Sequence, residues 1–166
     1  MKGAATLALD GRGIELDTVF LDAGGVLVNP NWDRVSGALR AHGVTAAPAA
    51  LEAAEALAKR DLDTAELVPS TTDAGRGWLY FDLVLDSQLE KLEKPDPRFF
   101  ALALERSGSR AERTVHVGDL YHVDVVGARG AGVEAVLLDP AGLHAGADCE
   151  RVPTLLSLAE RLRASP

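Results

Sequence analysis

The fold of this chain is decided by residues 114–138, TVHVGDLYHVDVVGARGAGVEAVLL. The run from Thr114 to Val117 is largely β-branched and stops at Gly118-Asp119, which predicts a buried strand ending in a tight loop. Small residues from Val123 to Ala131 then predict a helix, and Glu134 to Leu138 predicts a second buried strand. A strand, a helix and a strand in so short a stretch indicate two parallel strands joined by a crossover helix.

The same alternation continues toward both ends of the chain. Leu16 to Asp22 is a short apolar run that stops at Gly24-Gly25, which predicts another buried strand with Asp22 at its carboxyl end. Residues 1–13 have no firm hydrophobic period and are interpreted as a loose lead-in, and the run from Trp78 to Leu85 is ambiguous between strand and helix. Caps and prolines predict four further helices. The first is capped by Asn31 and ended by Gly43, the second is opened by Pro48, and the third runs from Arg98 to Arg106 between Pro97 and Gly108. The fourth is opened by Pro153, with Leu155, Leu158, Ala159 and Leu162 facing inward. The predicted fold class is α/β, a doubly wound (Rossmann-like) parallel sheet flanked by helices.

Two acidic residues follow predicted strands of this sheet. Because ligand sites of open α/β sheets lie at the carboxyl ends of the strands, Asp22 and Asp119 are expected at the same edge. Asp124 falls on the first turn of the next helix, where the helix dipole favours an acid. Converging carboxylates make an oxygen-rich site that suits Mg²⁺. The alternative is that these residues only cap turns, which explains Asp124 well and Asp119 poorly.

A lysine lies between the two strands in the segment Glu93 to Phe100, EKPDPRFF. Two prolines around Asp96 turn the chain rigidly into a helix and so restrict where Lys94 points. A lone lysine before proline is usually a solvated surface charge. Here the strand and helix order predicts that Lys94 returns to the edge that holds Asp119.

Taken together, the three segments resemble motifs of a known family. A strand-end aspartate with a glycine loop, Lys-Pro-Asp-Pro, and Gly-Asp with a second Asp five residues on match motifs one, three and four of the haloacid dehalogenase-like (HAD) hydrolase superfamily. The resemblance covers Asp17 to Leu27 and about residues 82–140. The ordered trio is specific because three separate motifs have to occur in the right sequence.

The resemblance implies a role for each matched residue. Asp22 resembles the nucleophile that forms an aspartyl-phosphate, and Lys94 resembles the cation that balances the nucleophile and the transferring group. Asp119 resembles a metal ligand, the backbone carbonyl of Gly24 another, and Asp124 an acid that supports the metal site. The implied cofactor is Mg²⁺, which also brings in Asp22 as a ligand, and the implied substrate is a small phosphorylated metabolite.

Two positions depart from the family pattern. Family phosphatases carry a general acid two residues after the nucleophile, where this chain has Gly24. The Ser or Thr of motif two is not found, because Ser70, Thr71 and Thr72 follow Pro69 rather than an apolar strand and Ser87 ends a run like the one that directly precedes motif three. The chain therefore resembles a capped member that has lost an internal block, with residues 1–28 and 81–166 as the α/β core and 29–80 as a reduced helical cap-like insert. A strand beside the Asp22 strand would then be absent, and the reduced cap would leave the site open.

These observations leave three functions under consideration. The first is a Mg²⁺-dependent phosphohydrolase, weakened by the loss of the acid at position 24. The second is a metal-independent 2-haloacid dehalogenase in which Asp22 attacks carbon, against which Asp119 argues. The third is a catalytically impaired or truncated chain that keeps the fold as a binding or regulatory module.

Composition limits the partners. The 166 residues are 47% hydrophobic with a formal net charge of −8, and no Lys/Arg-rich run could follow a phosphate backbone, so no nucleic acid partner is expected. With no signal peptide, no apolar run approaching a membrane span and a single cysteine, a cytoplasmic protein without a membrane partner is predicted. The oligomeric state is left open. His116 and His122 are interpreted as satisfied core or surface histidines, and Cys149 as a residue without a nucleophilic role.

Overall fold

A four-stranded parallel sheet forms the centre of the protein, seen in a computed structural model that describes residues 5–9, 11–63, 85 and 87–164. The order of this sheet is β3-β4-β5-β6, and each neighbouring pair is parallel. A second, antiparallel sheet has the order β2-β1-β7. In chain order the described strands are β1 (Ala5–Leu9), β2 (Arg12–Leu16), β3 (Thr18–Leu21), β4 (Thr114–Gly118), β5 (Glu134–Leu138), β6 (Glu150–Val152) and β7 (Leu162–Ala164). The predicted α/β class with a parallel sheet is confirmed.

The helices begin and end where capping residues predict. Asn31 accepts a hydrogen bond from the Arg34 backbone N–H at 3.0 Å, Pro48 and Pro97 each open a helix, and Gly108 ends one with a φ of 64°. None of the described helices is both long and apolar enough to cross a membrane. The described helices are α1 (Trp32–Ala41), α2 (Pro48–Leu62), α3 (Ser87–Glu90), α4 (Pro97–Ser107), α5 (Gly127–Gly130) and α6 (Leu155–Ala159).

The two middle strands of the parallel sheet are buried on both faces. Val115 and Val117 of β4 share a core with leucines of the antiparallel sheet and of α6. Ala135 and Leu137 of β5 face the other way and pack with Phe100 of α4. Because both faces are covered, these strands are apolar almost throughout, which is the signal that the sequence carries at 114–117 and 134–138.

The prediction of a loose lead-in over residues 1–13 is wrong for its described part. β1 and β2 form an antiparallel hairpin in which Leu7 and Leu9 are buried and Ala8 is exposed. Gly11 between the strands has a φ of 74°, a left-handed conformation that a glycine adopts without strain. The alternation of buried and exposed side chains covers a strand of only five residues, which is too short to be recognised in a sequence with two glycines close by.

The last predicted helix is shorter than expected. It ends at Ala159, and Leu162, predicted to face inward from the helix, belongs instead to β7, where it pairs with Leu7 and is 38% exposed. The physical reason is that the free edge of β1 presents backbone donors and acceptors, which the returning chain satisfies.

Two further differences involve short elements. β6 has only three residues, and its inward side chain Val152 is buried, so the sequence carries no pattern long enough to predict it. The helix predicted from Val123 to Ala131 starts earlier, as a π-helical turn over Tyr121–Val126, and continues into α5. This turn begins directly after the loop that follows β4.

The strand that leads to Asp22 lies at an edge of the parallel sheet. Within the described residues β3 pairs with β4 alone, and its side chains Val19 and Leu21 are 40% and 39% exposed. The expectation that the family's strand beside the Asp22 strand is absent stays a prediction. The segment Ser70–Gly77 and most of the ambiguous run from Trp78 to Leu85 lie outside the described residues.

Candidate active site

Three carboxylates meet where β3 and β4 end. Asp22 follows β3, and its backbone N–H donates to the Val117 carbonyl of β4 at 2.8 Å, which continues the pairing of the two strands. Asp119 follows β4 directly, and Asp124 lies in the π-helical turn. Oxygen atoms of these three side chains all lie within 4.8 Å of one another, the spacing of a possible metal site in the described chain. The edge predicted from strand order therefore holds all three acids.

Lys94 joins this cluster from the loop before α4. Its Nζ donates to Asp22 Oδ1 and, at 2.6 Å, to Asp124 Oδ1. The side chain of Lys94 is 13% exposed, so the ammonium is held between two carboxylates rather than solvated. Lys94 therefore lies at the predicted edge of the sheet and is not a solvated surface charge.

Burial and charge shift the proton affinities of this group. Burial alone would lower the pKa of Lys94, but the charges of Asp124 and Asp22 outweigh it and raise that pKa. Burial raises the pKa of Asp22, with Lys94 opposing and Asp124 adding to the effect. Burial also opposes the charge of Asp124, yet Lys94 and the hydrogen bond from His116 hold the pKa of Asp124 below its usual range. The lysine therefore stays charged, and Asp124 is its permanent counter-ion.

His116 supports Asp124 from inside the sheet. Its Nε2 lies 2.9 Å from Asp124 Oδ1, while Asp124 Oδ2 accepts the Leu120 backbone N–H at 3.0 Å. Nδ1 of His116 is buried and meets no hydrogen-bond partner in the described part of the chain. Because the Asp124 carboxylate can only accept a hydrogen bond, we assign the ring proton to Nε2. The interpretation of His116 as a histidine whose hydrogen bonds are satisfied is true of Nε2 but not of Nδ1.

The glycine loop after β3 is closely packed at one position and open at the next. Gly25 has a φ of 79°, and a Cβ there would lie 2.6 Å from Asp119 Cγ and overlap Lys59 Nζ as well. A Cβ at Gly24 would meet only Asp22 Oδ2, at 3.9 Å, an ordinary contact. The backbone needs a glycine at 25, whereas position 24 has room for a side chain.

Replacing the two glycines by alanine should therefore give opposite results. Gly25→Ala is expected to lower the free energy of unfolding by more than about 1 kcal/mol, because it combines a left-handed backbone with overlap onto the acidic cluster. Gly24→Ala, the matched control, should leave that free energy unchanged or slightly higher. Urea denaturation of both variants measures the difference, and equal losses would contradict the packing described here.

A second lysine in the cluster is not predicted from the sequence. Lys59, in the last turn of α2, places its Nζ 2.5 Å from Asp119 Oδ2 and 3.4 Å from Glu55 Oε1. A basic residue in the last turn is fully explained by the helix dipole, so nothing in the sequence pattern separates Lys59 from an ordinary helix end. Burial raises the pKa of Asp119 to about 6 even though Lys59 opposes this shift.

The charged side chains of this cluster are largely shielded from solvent. The side chains of Asp22, Asp119, Asp124 and Lys94 are between 1% and 13% exposed. Lys59 of α2 contacts Asp119 in this cluster, and the expectation that a reduced cap leaves the site open stays a prediction.

The structure also places the two other residues considered from the sequence, His122 and Cys149. The His122 backbone N–H donates to Asp63 Oδ1 at 2.9 Å, and His122 Nδ1 lies 2.8 Å from the Asp63 carbonyl, so this histidine attaches the end of α2 to the core. Burial raises the pKa of the Cys149 thiol to about 11, which agrees with the prediction that it is not a nucleophile.

The donor set suits a hard divalent cation. Asp22, Asp119 and Asp124 offer only oxygen, and the close approach of Gly25 brings backbone into the same space. Two lysines against three carboxylates leave a net charge of about −1, so a doubly charged cation is electrostatically favoured. These residues therefore fit Mg²⁺.

Comparisons with known proteins agree with this geometry. A family model described as HAD-hydrolase-like matches residues 92–161, which include Lys94, Asp119 and Asp124. The ribulose-1,5-bisphosphate 5-phosphatase of Halopiger xanaduensis is 39% identical over 101 residues, 57% of this chain and 42% of that protein. The glyceraldehyde 3-phosphate phosphatase of Methanothermobacter thermautotrophicus is 42% identical over 60 residues, 36% of this chain and 26% of that protein.

Among solved structures, a HAD phosphatase from Thermococcus onnurineus shares 32% identity, with a TM-score of 0.45 over 48% of this chain and 38% of that one. The chain thus matches less than half the length of each of these relatives. The region matched by the family model carries Lys94, Asp119 and Asp124, whereas Asp22 lies outside it. Over residues 92–161 the chain is therefore similar to the haloacid dehalogenase-like hydrolase superfamily.

Proposed function

We propose that this chain is a phosphohydrolase of a small phosphorylated compound and that Asp22 is its nucleophile. One observation carries the proposal: Asp22 ends a parallel strand within 4.8 Å of two further carboxylates and is bound by a buried lysine. A carboxylate in this setting can attack phosphorus while positive charge beside it offsets the charge of the phosphate. The two relatives described above are named as phosphatases of small sugar phosphates, which supports the same substrate class.

The chemistry divides into two displacements. Because Lys94 holds Oδ1 of Asp22, we assign the attack to Oδ2, which faces Gly24. A bond forms between Oδ2 and phosphorus, and the bond from phosphorus to the ester oxygen breaks, so the ester oxygen leaves with the bonding electron pair as an alkoxide or phenolate and takes a proton from water. Water then attacks the aspartyl-phosphate, which restores the Asp22 carboxylate and releases inorganic phosphate.

The remaining site residues would stabilise charge. Asp22, Asp119 and the Gly24 carbonyl would hold Mg²⁺, with Asp124 in support, and Mg²⁺ would screen the repulsion between the carboxylate and the phosphate. Asp124 also fixes Lys94, which remains charged and close to the transferring group. His116 holds Asp124 in turn.

The chain is proposed to consist of two regions with different roles. Residues 1–28 and 81–166 would form the catalytic core, and residues 29–80 a cap-like insert. With Gly24 at the position of the family's general acid, esters with good leaving groups would be turned over best.

The test is hydrolysis of p-nitrophenyl phosphate by the folded chain with Mg²⁺ and with EDTA. Mg²⁺-dependent release of p-nitrophenol that saturates with substrate is the expected result. Halide release from 2-chloropropionate in EDTA would instead favour the metal-independent dehalogenase. Failure of both reactions in a folded preparation would favour a chain that only binds.

A further inference from the structure

Lys59 reaches the carboxylate cluster from outside the catalytic core. It lies in the last turn of α2, within the cap-like segment, and its Nζ contacts Asp119 Oδ2 at 2.5 Å. The Lys59 side chain is 31% exposed, whereas Asp119 is 9% exposed. The ammonium therefore closes the entrance of the cluster from the solvent side.

The position of Lys59 is set by a second contact between α2 and the core. Asp63, at the C-cap of α2, accepts the His122 backbone N–H at 2.9 Å, and the Asp63 side chain is buried. This attachment lies one helical turn after Lys59 and fixes the end of the helix beside the acidic cluster.

The ammonium also lies directly against the nucleophile loop. A Cβ added at Gly25 would overlap Lys59 Nζ, so the lysine occupies the space immediately above that backbone. Lys59 Nζ therefore lies beside both the loop that carries Asp22 and the carboxylate of Asp119.

The two lysines of the cluster differ in their freedom to change partners. Lys94 is 13% exposed and bridges two carboxylates, so it cannot turn without leaving buried charges unpaired. Lys59 has the partly exposed Glu55 as its other partner, at 3.4 Å and one turn earlier on the same helix. A cation that binds Asp119 would therefore release Lys59 toward the opening of the site at little cost.

We infer that Lys59 is an anion-binding residue that the cap-like helix contributes to this site, and that it holds the phosphoryl group over Asp22 once Asp119 has a divalent cation as its partner. Without a ligand, Lys59 rests on Asp119. This inference rests on the proposed phosphohydrolase function and adds a residue that the core motifs do not contain.

The test measures binding of inorganic phosphate by isothermal titration calorimetry at saturating Mg²⁺, together with Mg²⁺ binding in the absence of phosphate. Lys59→Gln is expected to weaken phosphate about 10- to 100-fold, as expected for the loss of one charge-assisted hydrogen bond. The same variant should bind Mg²⁺ as tightly as the wild type or more tightly, because a competing cation has left Asp119. Lys59→Arg should restore phosphate binding, and Arg40→Gln, an exposed residue of α1, is the charge-matched control.

Three outcomes would overturn the inference. If Lys59→Gln binds Mg²⁺ more tightly but keeps wild-type affinity for phosphate, Lys59 only neutralises Asp119. If it weakens Mg²⁺ and phosphate together, its role is structural. If the wild type neither binds phosphate nor hydrolyses p-nitrophenyl phosphate, the proposed function fails and this inference fails with it. If the wild type hydrolyses the ester and Lys59→Gln binds phosphate as tightly as the wild type, only the inference is rejected.

Discussion

Asp22→Asn is expected to reduce Mg²⁺-dependent hydrolysis of p-nitrophenyl phosphate by on the order of 10³-fold or more without unfolding the chain. The amide keeps the shape of the carboxylate and an acceptor oxygen for Lys94, but it cannot attack phosphorus. The backbone hydrogen bond from residue 22 to the Val117 carbonyl does not involve the side chain and should persist.

The same substitution should leave stability unchanged or raise it. Burial raises the pKa of Asp22 above its unfolded value, so the folded chain binds this proton more tightly than the unfolded chain does. The contribution of this group to stability therefore falls as the pH rises through the interval between the two values, because burial disfavours its ionised form. Removing its charge removes that penalty, and the thermal midpoint measured without metal at pH 7 should not decrease.

A suitable control is Asp33→Asn, the same chemical change at an exposed acid in the first turn of α1. It should keep full activity and lose a little stability, because an acid there favours the helix. An Asp22→Asn variant that hydrolyses the ester at the wild-type rate would show that Asp22 is not the nucleophile. A variant that loses activity only because its thermal midpoint falls below the assay temperature would assign Asp22 a structural role.

The acids of the site could be predicted because strand order alone brings them together. Parallel neighbours end at the same edge of a sheet, so two aspartates that each follow a buried strand converge without any knowledge of packing. Asp22 and Asp119 are such a pair, and Lys94 returns to them because one helix separates it from β4. The sequence also contains the motifs that make these positions recognisable.

Lys59 could not be predicted because its position depends on where a helix packs. α2 is rich in alanine, and its basic residues fall in the last turn, where the helix dipole explains them. Among the described residues, the contact of Asp63 with His122 attaches this turn to the core beside the acids. The position of a side chain on a separate segment can be predicted only from the tertiary structure, whereas the position of a side chain at a strand end follows from the strand order.

The two shortest strands could not be predicted from the sequence for a related reason. β6 and β7 have three residues each and exist because a neighbouring strand leaves an edge to pair with. Such pairing is a property of the assembled sheet and leaves no hydrophobic period in the sequence. The predictions of a cytoplasmic location and of no nucleic acid partner concern the surroundings of the chain and stay predictions.

Gly24→Asp is expected to increase the hydrolysis of unactivated esters, with a gain in kcat/KM of about 10²- to 10⁴-fold on glycerol 2-phosphate. An alkyl leaving group departs as a strong base unless a proton reaches its oxygen, and the wild-type chain has glycine at the position where the family places the acid. Position 24 can accept the side chain, because a Cβ there lies 3.9 Å from Asp22 Oδ2 and its backbone is not left-handed. The neighbouring carboxylate of Asp22 should raise the pKa of the new acid and keep part of it protonated near neutral pH.

The design distinguishes proton donation from a general improvement of the site. p-Nitrophenolate leaves without a proton, so the same variant should change hydrolysis of p-nitrophenyl phosphate by less than about 10-fold. Gly24→Asn has nearly the same shape but no acidic proton, and it should gain nothing on either ester. Equal gains in kcat/KM on both esters, or a gain with Gly24→Asn, would mean that position 24 acts through packing or metal binding. The absence of an acid at this position would then not be what limits the rate of hydrolysis by this chain.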